Sequence, residues 1–210
     1  MKKQDRNVRM SAFRYDGSFY TITGKVFDLV VVNLLWIVGC IPVVTAGASC
    51  SALYHVVMES VRKGETTVFR EFWRVWKRDL KETVPVWLCC AVLYFVLFLN
   101  LGIAREQPAS NFFLFCILLF AFLLVWLMVL CTYLFPAIAT FQMPVLWNVK
   151  LAVFLSVKHL PLSLMLAAMF AVVYFSMMAV PLLVLVLPGV FTLFSSYILE
   201  PVFEKHMPKG

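Results

Sequence analysis

The sequence has little charge, and that scarcity excludes most soluble proteins of its length. Only 14% of the 210 residues are charged and 63% are hydrophobic, whereas soluble domains carry about 25% charged residues. Apolar runs of about 18 residues or more, the length needed to cross a bilayer, recur along the chain. Too few polar side chains remain to cover a water-soluble particle. The composition therefore predicts an integral membrane protein.

The sequence also lacks the motifs that carry common enzyme chemistry. It has no P-loop, no GxSxG, no HExxH and no glycine-rich dinucleotide turn. Its six cysteines all fall in apolar segments without a CxxC spacing, so we expect neither a disulfide framework nor a metal site. We predict a non-enzymatic protein without a cofactor.

Ionisable residues are scarce in the middle of the apolar segments. Asp28, Glu59 and Glu200 lie at segment ends, whereas proton- and ion-coupled transporters usually hold such groups inside the membrane. This pattern argues against an autonomous secondary transporter without excluding one.

The apolar runs predict an all-α, polytopic helical bundle with six membrane segments arranged as three hairpins. The predicted parts of this single membrane domain are a cytoplasmic N-terminal segment (1–25), hairpins at 26–61, 84–139 and 160–199, a cytoplasmic amphipathic helix lying in the membrane interface (62–83), a cytoplasmic connection (140–159) and a cytoplasmic tail (200–210). Pro181 separates the last two segments, since residues 160–199 as one helix would be about twice the membrane thickness.

The net charge of +7 follows the pattern of membrane topology. All but one of the 18 lysines and arginines fall in the parts predicted to be cytoplasmic, and only Arg105 lies in a predicted outside loop. The positive-inside rule therefore predicts a multi-pass plasma-membrane protein with both termini in the cytoplasm. Because the cations alternate with apolar segments, we do not expect nucleic acid as a partner.

The stretch 33–56 predicts the tip of the first hairpin. Pro42 cannot continue a helical hydrogen-bond ladder and Gly47 tolerates unusual backbone angles, so the chain reverses between them. Small residues follow the turn and allow close helix packing. A re-entrant second helix is an alternative to a full crossing. The candidate polar lining of this hairpin is Asn33, Thr45, His55 and Glu59.

Residues 62–83 form the longest polar segment. Aromatic residues recur there at spacings of three and four, which indicates one apolar helix face with cations on the others. Such a helix binds anionic lipid or a protein partner. The candidate partner or lipid docking face is Phe69, Trp73, Arg74, Trp76, Lys77 and Arg78.

Several short stretches resemble the YesL family of bacterial membrane proteins. They are Asn33-Leu34-Leu35-Trp36, Pro42 through Ala48, Ala52-Leu53-Tyr54, and the flanking Asp16-Gly17-Ser18-Phe19-Tyr20 and Phe69-Arg70-Glu71-Phe72-Trp73. The resemblance implies a membrane protein encoded beside carbohydrate uptake genes, with no established catalytic activity and hence no catalytic residues to assign.

These observations leave two functions open. The first is an accessory or regulatory component of a carbohydrate ABC uptake system, with membrane lipids and sugar-transporter permease subunits as partners. The alternative is an autonomous small-solute transporter or channel that uses the helix break at residues 42–47. The sequence leaves open the ligand, the oligomeric state, and whether the three proline–threonine pairs near the helix bends mark an internal repeat.

Overall fold

A computed structural model describes residues 23–63, 67–106, 111–141 and 143–206, and nearly all of them are helical. The helices are α1 (Thr23–Cys40), α2 (Ala46–Val56), α3 (Val68–Glu106), α4 (Asn111–Thr140), α5 (Val145–Lys158), α6 (Leu160–Ala179) and α7 (Leu187–His206). Most of the predicted N-terminal segment 1–25 and the last residues of the tail 200–210 lie outside the described residues.

Four of these helices, α1, α3, α4 and α6, are long and apolar enough to cross a membrane. The fold is therefore that of a helical membrane protein, as predicted. The count of six spans is not confirmed, because α2 is short and α7 contains only a shorter apolar stretch, Leu187–Phe203.

The predicted reversal lies between α1 and α2. A bend at residues 41–42 leads into the 3-10 turn Val43–Thr45, and α2 then continues as a π-helical segment, Val57–Lys63. The turn is fixed by the Thr45 hydroxyl, which donates to the carbonyls of Gly39 and Pro42, both at 2.8 Å. These bonds satisfy backbone groups that the bend frees from the helix.

The largest difference from the prediction is in α3. Residues 62–83 were expected to form an interfacial helix separate from the membrane hairpin 84–139, but one 39-residue helix, Val68–Glu106, runs through Pro85. Thr83 and Val86 are buried on either side of that proline, and the Trp87 indole donates to the carbonyl of Val43 at 2.7 Å. Packing thus holds a helix that proline alone would tend to end.

The two halves of α3 differ in their surroundings. Before Pro85 the helix buries Val68, Phe72, Val75 and Asp79, whereas the later half exposes large apolar side chains such as Val92 and Phe95. α4 is antiparallel to α3, with Arg78 beside Ala139 and Trp87 beside Phe135. Its first half is likewise exposed and its second half buried.

The predicted break between the last two segments falls at Pro181, as expected. Val180 is extended, the 3-10 turn Pro181–Leu185 follows, and α7 has Pro188 in its first turn, where its missing N–H is tolerated. The predicted connection 140–159 contains a helix, α5. Each proline–threonine pair shares one local bond, since Thr140 donates to Pro136 and Thr192 to Pro188, both at 2.8 Å, as Thr45 does to Pro42.

The α2–α3–α4 junction can be tested at Gly47. A Cβ placed there would lie 2.9 Å from Trp87 Cβ and 3.0 Å from Phe135 Cε1. We predict that Gly47→Ala lowers the free energy of unfolding by about 1–3 kcal/mol, because overpacking displaces its neighbours. The measurement is thermal unfolding of the purified protein in detergent.

Gly102→Ala is the matched control. A Cβ at Gly102 meets nothing within 4 Å, so this change should be neutral or stabilise the helix by up to about 1 kcal/mol. Equal stability of the two variants would contradict the packing described at Gly47.

Candidate functional site

The polar side chains of α2 face the first half of α3, and the closest contact joins Ser51 to Asp79. The Ser51 hydroxyl donates to Asp79 Oδ2 at 2.5 Å, and both residues are buried. A carboxylate removed from water is costly unless it accepts hydrogen bonds or pairs with a cation. Asp79 therefore needs further partners.

Arg78 supplies them. Its Nε donates to Asp79 Oδ1 at 2.6 Å and its Nη2 to Oδ2 at 3.3 Å. The same Nη2 lies 3.5 Å from the carbonyl oxygen of Ala139 near the end of α4. A single buried carboxylate thus joins α2 to α3 and, through the guanidinium, reaches α4.

Glu71 forms a second buried centre two turns earlier on α3. His55 Nε2 lies 3.2 Å from Glu71 Oε1, and Arg74 donates to the same oxygen. The Glu71 side chain is 8% exposed, whereas that of Arg74 is 67% exposed. The buried carboxylate therefore holds one end of a cation that is otherwise open to solvent.

Near the hairpin tip the contacts involve serine and tryptophan. The Trp76 indole donates to Ser49 Oγ at 3.2 Å, and Ser49 donates to the Thr45 carbonyl at the same distance. On the other side of the hairpin, Trp36 Nε1 lies 3.5 Å from the sulfur of Cys50. These bonds fasten the α1–α2 hairpin to α3 with its tip beside Trp87.

Asn33 connects α1 to the start of α7. Its amide nitrogen donates to the carbonyl of Val186 at 3.1 Å, and its fully buried Oδ1 has no hydrogen-bond partner in the described part of the chain. Gly189 packs directly on this amide, because a Cβ there would lie 2.8 Å from Asn33 Nδ2. The amide thus packs α1 against α7.

The predicted hairpin lining is distributed over separate contacts. Asn33 bonds to Val186, Thr45 to its own turn, and His55 to Glu71. Glu59 lies half-buried in the π-helical segment after α2. At the reversal, the side chains of Trp87 and Phe135 occupy the space beside Gly47.

The predicted docking face is divided by its burial. Trp73 and Trp76 are half-buried, form an edge-to-face pair at 5.3 Å and pack against the cluster that includes Leu29, Val32 and Leu53. Phe69, Arg74, Lys77 and Arg78 stay exposed. Part of the predicted aromatic face is therefore an internal contact with the hairpin, and the cations remain at the surface.

Sequence reasoning missed Glu71 and Asp79. They were given no role within the predicted amphipathic helix 62–83, yet their spacing of eight puts both on the side of α3 that holds Val75 and Thr83. Ser51 and His55, four apart on α2, offer matching partners. The signal was a pair of polar positions at helical spacing on each of two neighbouring helices.

Within the described ranges, no three histidine, cysteine, aspartate or glutamate side chains come together as a metal site would require. The polar centres consist of carboxylates paired with cations and hydroxyls. Such an arrangement can fix helices and orient exposed guanidinium groups.

The fold and these centres define a helical membrane protein with a polar junction between its first hairpin and α3. A model of the family described as "Protein of unknown function, DUF624" matches residues 29–101, from α1 to the apolar half of α3, and the chain is similar to that family over this stretch. No curated protein and no solved structure matches the chain.

We predict that Asp79→Asn lowers the free energy of unfolding by about 2–3 kcal/mol, because Arg78 then loses its carboxylate partner. Ser51→Ala should cost about 1–2 kcal/mol. In a double-mutant cycle the two effects should be non-additive by more than about 0.5 kcal/mol, because the residues are in direct contact. Equilibrium unfolding in mixed micelles measures all three variants.

Glu82→Gln serves as the control for loss of a carboxylate from α3. Glu82 is exposed, so its change should stay within about 0.5 kcal/mol. Strict additivity of the Ser51 and Asp79 variants would show that the hydroxyl and the carboxylate do not act together.

Proposed function

We propose that this protein is a non-enzymatic, multi-pass protein of the bacterial plasma membrane that acts by docking to a partner through the first half of α3. Its partner is a subunit of a carbohydrate ABC uptake system, for which this chain is an accessory or regulatory component. Both termini lie in the cytoplasm.

The observation that carries the proposal is a stripe of cations on α3. Arg70, Arg74, Lys77 and Lys81 are all exposed, and their spacings of four, three and four place them along one helix face. The buried residues Phe72, Val75 and Asp79 pack on the opposite side. We call these four residues the cationic stripe.

The continuity of α3 favours a protein over a lipid as the partner of the stripe. From Lys81 to Arg70 the helix rises about 16 Å away from its apolar half, whereas each headgroup layer adds only about 5–7 Å to the hydrocarbon core. With the apolar half of α3 in the hydrocarbon core, cations at the far end of the stripe lie beyond the headgroups. An acidic protein surface is the complementary partner there.

The contacts between helix ends support a cytoplasmic position for the stripe. Arg62, just before the stripe, pairs with Glu200 on α7, and Phe141 at the end of α4 packs against both Trp147 and Phe203. The basic segments after α2, after α4 and at the end of α7 thus lie at the same end of the molecule. The positive-inside rule assigns that end to the cytoplasm.

The choice of an ABC uptake partner depends on the resemblance to the YesL family. The stretch matched by the DUF624 model, residues 29–101, contains the hairpin motifs that carry that resemblance and the whole cationic stripe. Members of the YesL family are encoded beside carbohydrate uptake genes. An acidic cytoplasmic surface on a permease or ATPase subunit would complement the charge of the cationic stripe.

The second candidate function is transport of a small solute. It is favoured by the Asn33 amide, which links α1 to the second helix break at Val186 and holds a buried oxygen without a partner in the described residues. Broken helices with buried polar groups form the sites of many transporters. The close packing of Gly47 against Trp87 and Phe135 argues for the docking role instead.

The docking proposal predicts that permease or ATPase subunits co-purify with the tagged protein from its native cells in mild detergent. The double variant Arg70→Gln/Lys77→Gln should reduce their recovery at least about tenfold, because two charges leave the stripe. Neither residue contacts a buried carboxylate in the contacts described above. Quantitative mass spectrometry of the purified complex gives the measurement.

The control is Lys150→Gln/Lys158→Gln, which removes the same charge from α5. It should leave subunit recovery unchanged. A purified complex that never contains a transporter subunit, or equal recovery from both double variants, would refute docking through the cationic stripe.

The transport alternative gives its own expectation. If it holds, proteoliposomes with the purified protein should accumulate a labelled sugar, and Asn33→Leu should abolish accumulation by removing the amide at the helix break. Under the docking proposal, liposomes with and without the protein should accumulate the sugar equally.

A further inference from the structure

Helix α5 buries one face in the protein and exposes a second face that is apolar. Leu151, Ala152 and Leu155 are buried, whereas Phe154 is 51% and Val157 54% exposed. Leu146 in the first turn of α5 and Leu160 at the start of α6 are also exposed. A helix at an aqueous surface would show polar side chains there, so this exposed face is suited to a lipid environment.

The position of α5 in the chain supports that environment. α4, which precedes it, and α6, which follows it after the single residue His159, are both long and apolar enough to cross a membrane. Ser163 at the start of α6 contacts both preceding helices. Its hydroxyl lies 3.1 Å from Tyr133 Oη on α4 and donates to the carbonyl of Ser156 on α5 at 2.9 Å. Because Trp147 near the start of α5 also packs against Phe141 at the end of α4, α5 runs back alongside the last turns of a candidate membrane span.

The exposed face of α5 carries an open groove with a volume of about 550 Å³. Val149, Val153, Phe154 and Val157 form its apolar lining, with Lys150 and Lys158 toward its two ends. The ammonium group of Lys158 lies 5.0 Å from the centre of the Phe154 ring. The groove therefore combines an apolar floor with two cations about 12 Å apart along the helix axis.

The part of the chain that contains α4, α5 and α6 carries only positive charge. Between Glu106 and Glu200 the sequence contains no aspartate or glutamate. A ligand at the groove thus meets two lysines and no carboxylate from α4, α5 or α6. This favours an anion, and the apolar floor favours one that carries a hydrocarbon chain.

We propose that the groove on α5 binds an anionic phospholipid, with an acyl chain along Val153, Phe154 and Val157 and the phosphate near Lys150 or Lys158. Lysine stems that cover apolar surface while their ammonium groups reach the headgroup layer suit this arrangement. This site is separate from the cationic stripe and does not depend on the docking proposal.

Native mass spectrometry of the full-length protein released from nanodiscs of equimolar phosphatidylglycerol and phosphatidylcholine tests the proposal. The unmodified chain should retain phosphatidylglycerol in preference. Lys150→Gln/Lys158→Gln should reduce that preference by an order of magnitude, since each lysine near the surface contributes appreciably to anionic-lipid binding. Phe154→Ala should reduce retention with both lysines present.

Arg70→Gln/Lys77→Gln, which removes two charges from α3, is the matched control and should keep the preference. Loss of the preference in this control as well would overturn the assignment to α5. Equal retention of the two lipids by the unmodified chain would also overturn it and leave an acidic protein surface as the occupant. Displacement of phosphatidylglycerol by inorganic phosphate, or no effect of Phe154→Ala, would show a phosphate site without an acyl-chain seat.

Discussion

The buried carboxylate of Asp79 is the interaction on which the packing of α2 and α3 with α4 depends. It accepts from Ser51 on α2 and Arg78 on α3, and the same guanidinium reaches the Ala139 carbonyl on α4. A carboxylate without these donors would carry a desolvation cost of several kcal/mol. Gly47 and Ala48 bring α2 close enough to make the contact, because their small size lets the helices approach. The hydrogen bonds of Asp79 thus depend on the close packing of α2 against α3, and they stabilise that packing in turn.

The length of α3 sets the position of the hairpin relative to any membrane. The helix is about 58 Å long, about twice the hydrocarbon core, and the hairpin tip lies beside Trp87 near its middle. If the exposed apolar half of α3 fills the core, the tip reaches only its near surface, where the exposed Ile41 and Val43 would contact lipid. In that register α2 would stop at the near surface and would not cross the core.

The sequence predicted the helical class, the reversal at residues 42–47 and the separation of the last two segments, because composition and proline act locally. It did not predict the continuity of α3 through Pro85, since that depends on Thr83, Val86 and Trp87 contacting other helices. It also assigned Trp73 and Trp76 to an external face, whereas part of their surface packs on the hairpin. Periodicity identifies an apolar face without specifying whether lipid or another helix covers it.

The molecule presents cations in two physically different settings, and the difference follows from what lies beside them. On α3 the stripe extends away from the apolar half, and a buried carboxylate, Glu71, orients the exposed Arg74. On α5 the lysines flank an apolar groove between two candidate spans. The first setting carries charge without a neighbouring apolar groove and suits a protein surface. The second combines charge with an apolar surface and suits the phosphate group and acyl chain of a lipid.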